Sequence, residues 1–185
     1  MNILDSLHQD HVHMAELLDL LEVQLERLRH PEGEQQADIS LMSSIAHYFV
    51  SYPEVTHHPT EDQLFRELAG DNLEFSEQVK QLQSDHAVLK KLGQEFENLT
   101  DDVVSGDVVG REDIVHATEN FLARQREHMN LEETAVLPAA AERLDGAAIA
   151  AVETAYYDSI DPLFGDQVDE HYAKLREAIV ARGDG

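Results

Sequence analysis

The sequence predicts an all-α protein, a four-helix bundle with a helical carboxy-terminal extension. Three observations carry that expectation. Apolar residues recur at alternating steps of three and four along four long segments, the period of a helix face packed in a bundle. No stretch alternates long enough to make a half-buried strand. Turn-forming Gly, Pro and Asp residues gather between those segments. A chain of 185 residues suffices for one domain with a sizeable core.

The first helix is expected over roughly residues 3–29, with the seam Leu4, Leu7, His11, Met14, Leu18, Leu21, Leu25 and Leu28. His30-Pro31-Glu32-Gly33 ends it. The second runs from about Asp38 to Ser51. Pro53 and Pro59 predict an irregular interruption before helix resumes from Thr60 to about Ala69, and Gly70-Asp71 makes the next turn. A third helix, about Leu73 to Asp101, carries the seam Phe75, Val79, Leu82, His86, Leu89, Gly93 and Phe96. After a loop at Ser105–Gly110 the fourth, about Glu112 to Arg143, reads Phe121, Gln125, His128, Glu132, Ala135, Ala139, with a kink expected at Pro138. Two shorter helices follow, about Ala148 to Tyr157 and Pro162 to Arg182, the second capped by Asp161. Residues 1–145 thus form the bundle, and 146–185 an extension packed on the same domain.

Composition narrows the chemistry. There are no cysteines, so thiolate metal sites, iron–sulfur clusters and thiol nucleophiles are excluded. The 38 acidic against 13 basic residues give a formal charge of −25, which would repel nucleic acid and anionic membranes alike. The amino-terminal stretch MNILDSLHQDH carries acid where a secretory leader carries base, and no apolar run reaches transmembrane length. A soluble cytoplasmic protein is therefore expected.

Eleven histidines remain to be placed. His11 and His86 each occupy a slot in an otherwise apolar seam. Elsewhere the chain has His57-x-x-x-Glu61 and His128-x-x-x-Glu132, so the order is His, His-x3-Glu, His, His-x3-Glu. One helical hairpin pattern is used twice. Residues four apart share a helix face, so each histidine and glutamate can address one metal, or one metal and its neighbour. A lone seam histidine is more often a packing residue, and a lone HxxxE an exposed ion pair. Burying all six without a partner would cost several kcal/mol per group. A shared metal removes that cost, and nitrogen with oxygen ligands suits iron, manganese or zinc.

These motifs, with the phrases THHPTEDQLF and REHMNLEETAVLP, resemble the hemerythrin-like, or HHE cation-binding, proteins over roughly residues 1–145; the tail around Asp161-Pro162-Leu163-Phe164-Gly165 resembles extensions of bacterial members. The resemblance implies an up-down-up-down bundle with a non-haem di-iron centre, two Fe ions bridged by oxo or hydroxo, that meets O2, peroxide or nitric oxide. Its ligands would be His11, His57, Glu61, His86, His128 and Glu132. Oxygen carriers of the family have a further histidine four residues after the third-helix ligand, where this chain has Lys90. They also use a bridging aspartate at one residue greater spacing. Two imidazoles per iron would then leave each iron one open position, which favours peroxide bridging both irons over reversible O2 carriage.

Other assignments stay open. His58 is a candidate to replace or assist His57. Tyr48 and Tyr52 face either the site or the core, and Asp10 and Asp85, each preceding a ligand, either support it or lie at the surface. His8, His13, His30, His47, His116 and His171 are read as surface or packing residues. The alternative function is an iron- or oxygen-sensing or metal-binding module without turnover, with a homodimer left open. A ferritin-like carboxylate bundle needs Glu-x-x-His on two helices; only Glu54-x-x-His57 fits.

Overall fold

The computed structural model describes residues 2–69, 73–156, 161–165 and 168–183, and among them there is no strand. Helix α1 spans Ile3–Arg29 and starts in a capping box. The Asn2 side chain accepts from the Asp5 amide, and the Asp5 carboxylate accepts from the Asn2 amide. Its seam is buried as the periodicity requires, with Leu7, Met14, Leu17, Leu18 and Leu21 inaccessible. Each such leucine contributes roughly 1.5–3 kcal/mol of burial free energy. Helix α2, Ile39–Tyr52, is capped by the Asp38 carboxylate on the Leu41 amide.

The expected irregular interruption is not there. Pro53–His57 forms a single π-helical turn that leads directly into α3, His58–Ala69, so the second bundle helix is continuous. The amide of His58 reaches back five residues to the Pro53 carbonyl. That wider turn tolerates Pro59, which has no amide to give and would crowd a regular turn. The expected turn at Gly70-Asp71 lies outside the described residues.

Helix α4 spans Leu73–Ser105, ending one turn later than predicted at Gly106, whose φ of 97° only glycine adopts freely. Gly93 lets it approach α2, since a β-carbon there would lie 3.0 Å from Val50 Cγ1. Helix α5, Arg111–Leu131, runs into a second π turn, Glu132–Val136, and then α6, Leu137–Arg143. The Leu137 amide reaches the Glu132 carbonyl and Pro138 follows. The predicted kink is thus the same device as at Pro59, a widened turn immediately ahead of a proline.

Helix α2 packs on α4, α4 on α5, and α1 on α5 and α2, which closes the bundle. Helix α7, Gly146–Tyr156, covers α3 and α1 at one end, while α8, Ala173–Gly183, lies against α2 and α1. The helix predicted from Pro162 begins only at Ala173, and residues 162–165 form a turn in which Asp161 Oδ1 accepts the amides of Leu163 and Phe164 at 2.8 and 2.9 Å. Aspartate satisfies this turn as well as it would a helix start, so the cap signal marks the turn and the helix follows later. The large apolar cluster holding Leu18, Phe49, Phe96 and Phe121 fills one end of the bundle. Two smaller clusters, around Phe65 with Val136 and around Leu7 with Leu64, fill the other.

Candidate metal centre

Buried polar residues interrupt the apolar core. His11, His57, His58, Glu61, His86, His128 and Glu132 are all at most 8% exposed, and both glutamates are fully inaccessible. Helix α1 supplies His11 and α4 supplies His86. The segment around the first π turn supplies His57, His58 and Glu61, and that around the second supplies His128 and Glu132.

Two sets of imidazoles stand on either side of the glutamates. On one side the Nε2 atoms of His11 and His57 are 3.0 Å apart. On the other, His58, Glu61, His86 and His128 each offer a ligand atom within 4.8 Å of the others. Each glutamate turns one oxygen to each side. Glu61 Oε1 lies 3.2 Å from His11 and 3.1 Å from His57, while its Oε2 lies 3.5 Å from His86. Glu132 Oε2 lies 3.4 Å from His11, and its Oε1 lies 3.1 Å from His128 and 3.8 Å from His86. Each glutamate thus stands between the two sets of imidazoles, where its two oxygens could serve one cation or two.

All four glutamate oxygens, both nitrogens of His86 and of His128, and Nε2 of His58 are buried without a hydrogen bond. The glutamate oxygens and one nitrogen of each imidazole face one another, while His86 Nδ1 turns to Asp62 at 3.2 Å. An unsatisfied buried polar atom costs roughly 1–3 kcal/mol, more if charged, so so many together fit bound cations. The donor set of imidazole and carboxylate suits a transition metal such as iron.

Electrostatics agree. Burial would lower the His57 pKa, but Glu61 and Asp10 outweigh it and push it up to about 9. Against the same burial, Asp62, Glu132 and Glu61 push His86 up to about 11. Burial would raise both glutamates, but the imidazoles hold Glu61 well below its ordinary value and His128 and His11 do the same to Glu132. His58 differs. Its burial dominates over Glu54 and lowers it to about 4, so it is neutral and ready to ligate.

The six residues expected from the sequence are brought together, and His58 joins them. With His58 there are two imidazoles on one side of the glutamates and three on the other, where two on each were expected. His58 was legible through its i, i+3 spacing to Glu61, which puts both on one helix face. In the second motif the corresponding place is Met129. Lys90, in the place of the carriers' extra histidine, contacts Glu54 Oε2 at 3.1 Å, and Glu54 Oε1 lies 3.2 Å from His58 Nδ1. The lost imidazole position thus supports the gained one.

Carboxylates also hold the rings from behind. His11 Nδ1 bonds Glu133 at 2.7 Å, with His8 on the other oxygen of Glu133 at 2.9 Å, and His57 Nδ1 bonds Asp10 at 3.0 Å. Asp85 does not do for His128 what Asp10 does for His57. It accepts from Gln81 and from Arg124 instead. Tyr52 donates to Asp10 and Tyr48 to Asp161, so both are buried hydrogen-bond donors. His13 stacks on Phe164, His47 pairs with Glu97, and His30 and His116 sit beside Glu26 and Glu119. His171 packs edge-on to His47.

A helical bundle whose interior presents converging histidines and bridging glutamates is a cation-binding bundle. The family model of the hemerythrin HHE cation-binding domain matches residues 2–140, and the chain belongs to that family. No curated protein and no solved structure gave a match. No helix among the described residues is long and apolar enough to cross a membrane.

Proposed function

We propose that the chain holds a non-haem di-iron centre that reacts with or senses O2, peroxide or nitric oxide at one of its two irons. The carrying observation is the split of each bridging glutamate between two unequal sets of imidazoles. His58, His86 and His128 with both glutamates give one position five protein ligands; His11 and His57 with the same glutamates give the other four. An iron pair supplies electrons and a Lewis-acidic charge to a small oxidant or nitrosyl. The chain orients the rings through Asp10 and Glu133, excludes bulk water, and leaves the His11–His57 side the less fully ligated. The reading favours a small molecule meeting that side alone, in place of the access at both irons expected from the sequence.

Metal analysis with an optical spectrum of protein purified in air tests the pair: near two irons per chain with an oxo-bridge band in the near ultraviolet is expected, and one zinc per chain would overturn it. Titration of the reduced protein with nitric oxide tests the asymmetry. One equivalent per iron pair is expected, and two equal equivalents would refute it. A sensing role is the second reading, favoured because Tyr48, one turn before the ligand-bearing segment, is tied to Asp161 of the extension. Limited proteolysis within 161–183 should then depend on iron; an indifferent extension removes that role.

A further inference from the structure

Three tyrosines lead away from the centre. Tyr52 donates to Asp10 Oδ2 across a long 3.4 Å, and the same oxygen holds His57 Nδ1 at 3.0 Å. The Tyr52 and Tyr48 ring centres are 5.7 Å apart, and Tyr48 and Tyr172 are 5.9 Å apart in an edge-on pair. Tyr172 in turn meets His171, which is exposed, at 5.1 Å. Phenylalanine would pack these rings equally well. The hydroxyls are the feature that packing does not explain, and each has a partner: Asp10 for Tyr52, Asp161 for Tyr48, and Ser51 at 3.2 Å for Tyr172.

Resting on the iron-pair reading above, we infer that Tyr52, Tyr48 and Tyr172 form a redox ladder that carries single electrons between the centre and the surface at His171, with Tyr48 the station where a radical rests. Reduction of hydrogen peroxide to two waters takes two electrons and two protons. An iron pair, where bound, would supply the two electrons, and two phenols would return them singly, each losing one electron and one proton to become a neutral phenoxyl radical. The balance is one peroxide and two phenols to two waters and two phenoxyls. A one-electron reductant in solution, ascorbate for example, restores each phenol by giving an electron at the outer end.

Tyr48 suits the resting place. It is fully inaccessible, and its hydroxyl lies 2.8 Å from Asp161 Oδ2. Burial and the adjacent carboxylate hold its phenol protonated well above the usual range, so electron loss has to be accompanied by proton transfer. The geometry gives the proton a defined acceptor. The turn that fixes Asp161 uses Oδ1 for the Leu163 and Phe164 amides and leaves Oδ2 to the tyrosine. The Asp-Pro-Leu-Phe-Gly segment, with no part in ligation, thereby acquires a role.

The test is electron paramagnetic resonance on iron-loaded protein, its iron counted, frozen shortly after mixing with hydrogen peroxide. A tyrosyl signal is expected that narrows with ring-deuterated tyrosine and persists in the Tyr156→Phe/Tyr157→Phe double variant. It should be lost in Tyr48→Phe and in Asp161→Asn, which keeps the turn acceptor but not the proton acceptor, with iron content unchanged. Ascorbate should quench it more slowly in Tyr172→Phe. Peroxide consumed without any tyrosyl signal, or a signal indifferent to Tyr48→Phe, overturns the ladder. If peroxide is not consumed, peroxide is not the oxidant the iron pair meets, whatever the ladder does. The ladder is then decided on the iron-free chain, oxidised at its surface by a ruthenium photo-oxidant: a Tyr48 signal that needs Tyr172 upholds it, and one that does not refutes it.

Discussion

The two sides of the centre share their bridging glutamates but are built differently. On the His11–His57 side each ring is gripped from behind by a carboxylate, Glu133 or Asp10. On the other side His86 faces Asp62 at 3.2 Å and His58 faces Glu54 at 3.2 Å, but Asp85 is taken by Arg124 and His128 Nδ1 is left buried without a hydrogen bond. That side gains a third imidazole, His58, stacked on His86 at 4.2 Å. The first side has two imidazoles and the second has three. The difference teaches that a repeated hairpin motif need not yield a symmetric site when the residues beside it diverge.

The largest expected effect breaks both sides at once. Glu61→Ala removes the carboxylate shared by His11, His57 and His86, and should abolish binding of both irons, read by metal analysis. It also leaves protonated buried histidines uncompensated, which should cost the metal-free chain about 3–5 kcal/mol in urea melts. Next, His58→Leu should roughly halve the iron content by emptying only the three-imidazole side. Two irons retained at wild-type affinity would remove the asymmetry. Asp10→Asn should weaken iron binding by about 10–100-fold by loosening His57, whereas Asp85→Asn should leave affinity unchanged because its carboxylate touches no ligand.

The next prediction concerns protons. At neutral pH His11, His57 and His86 carry raised pKa values, so iron binding should release a proton from each, detected with an indicator dye. For the metal-free fold the raised His57 pKa gives stability that is whole below 6.5 and lost as pH rises through about 9. The depressed glutamates give stability present above 4.5 and lost as pH falls through their lower folded values. His58, lowered to about 4, opposes at acid pH: its contribution declines as pH falls from 6.5. Thermal melts of metal-free protein should therefore weaken on the alkaline side, and iron should reverse that trend. The smallest effect is Lys90→Ala. Its ion pair with Glu54 is more than half exposed on the lysine side, so stability should change by about 1 kcal/mol or less with the iron content intact.

Much of this was legible in the sequence. Leu7, Met14, Leu18 and Leu21 declared α1 through their steps, and the histidines in the α1 and α4 seams stood out because every neighbour was apolar. The HxxxE pairs declared their faces by spacing alone. What was not legible depended on contacts across helices. Nothing local says that Asp10 reaches His57 on another element while Asp85 is captured by Arg124. Pro53 and Pro59 read as a break because a proline removes a donor; that a five-residue reach absorbs it is decided by the packing on both sides. Asp161 signalled a cap, and a turn uses the same side-chain bonds.

The two π turns set the angular phase of everything beyond them. Each adds one residue to a helix without lengthening the sequence pattern, and one residue is about 100° of rotation. A deletion within 53–57 would restore ordinary pitch but swing Glu61, Leu64 and Phe65 together away from their present face. Ligand and core would then go out of register as a unit. A chain of this kind can thus lose its centre by a single codon deletion that changes none of its ligands.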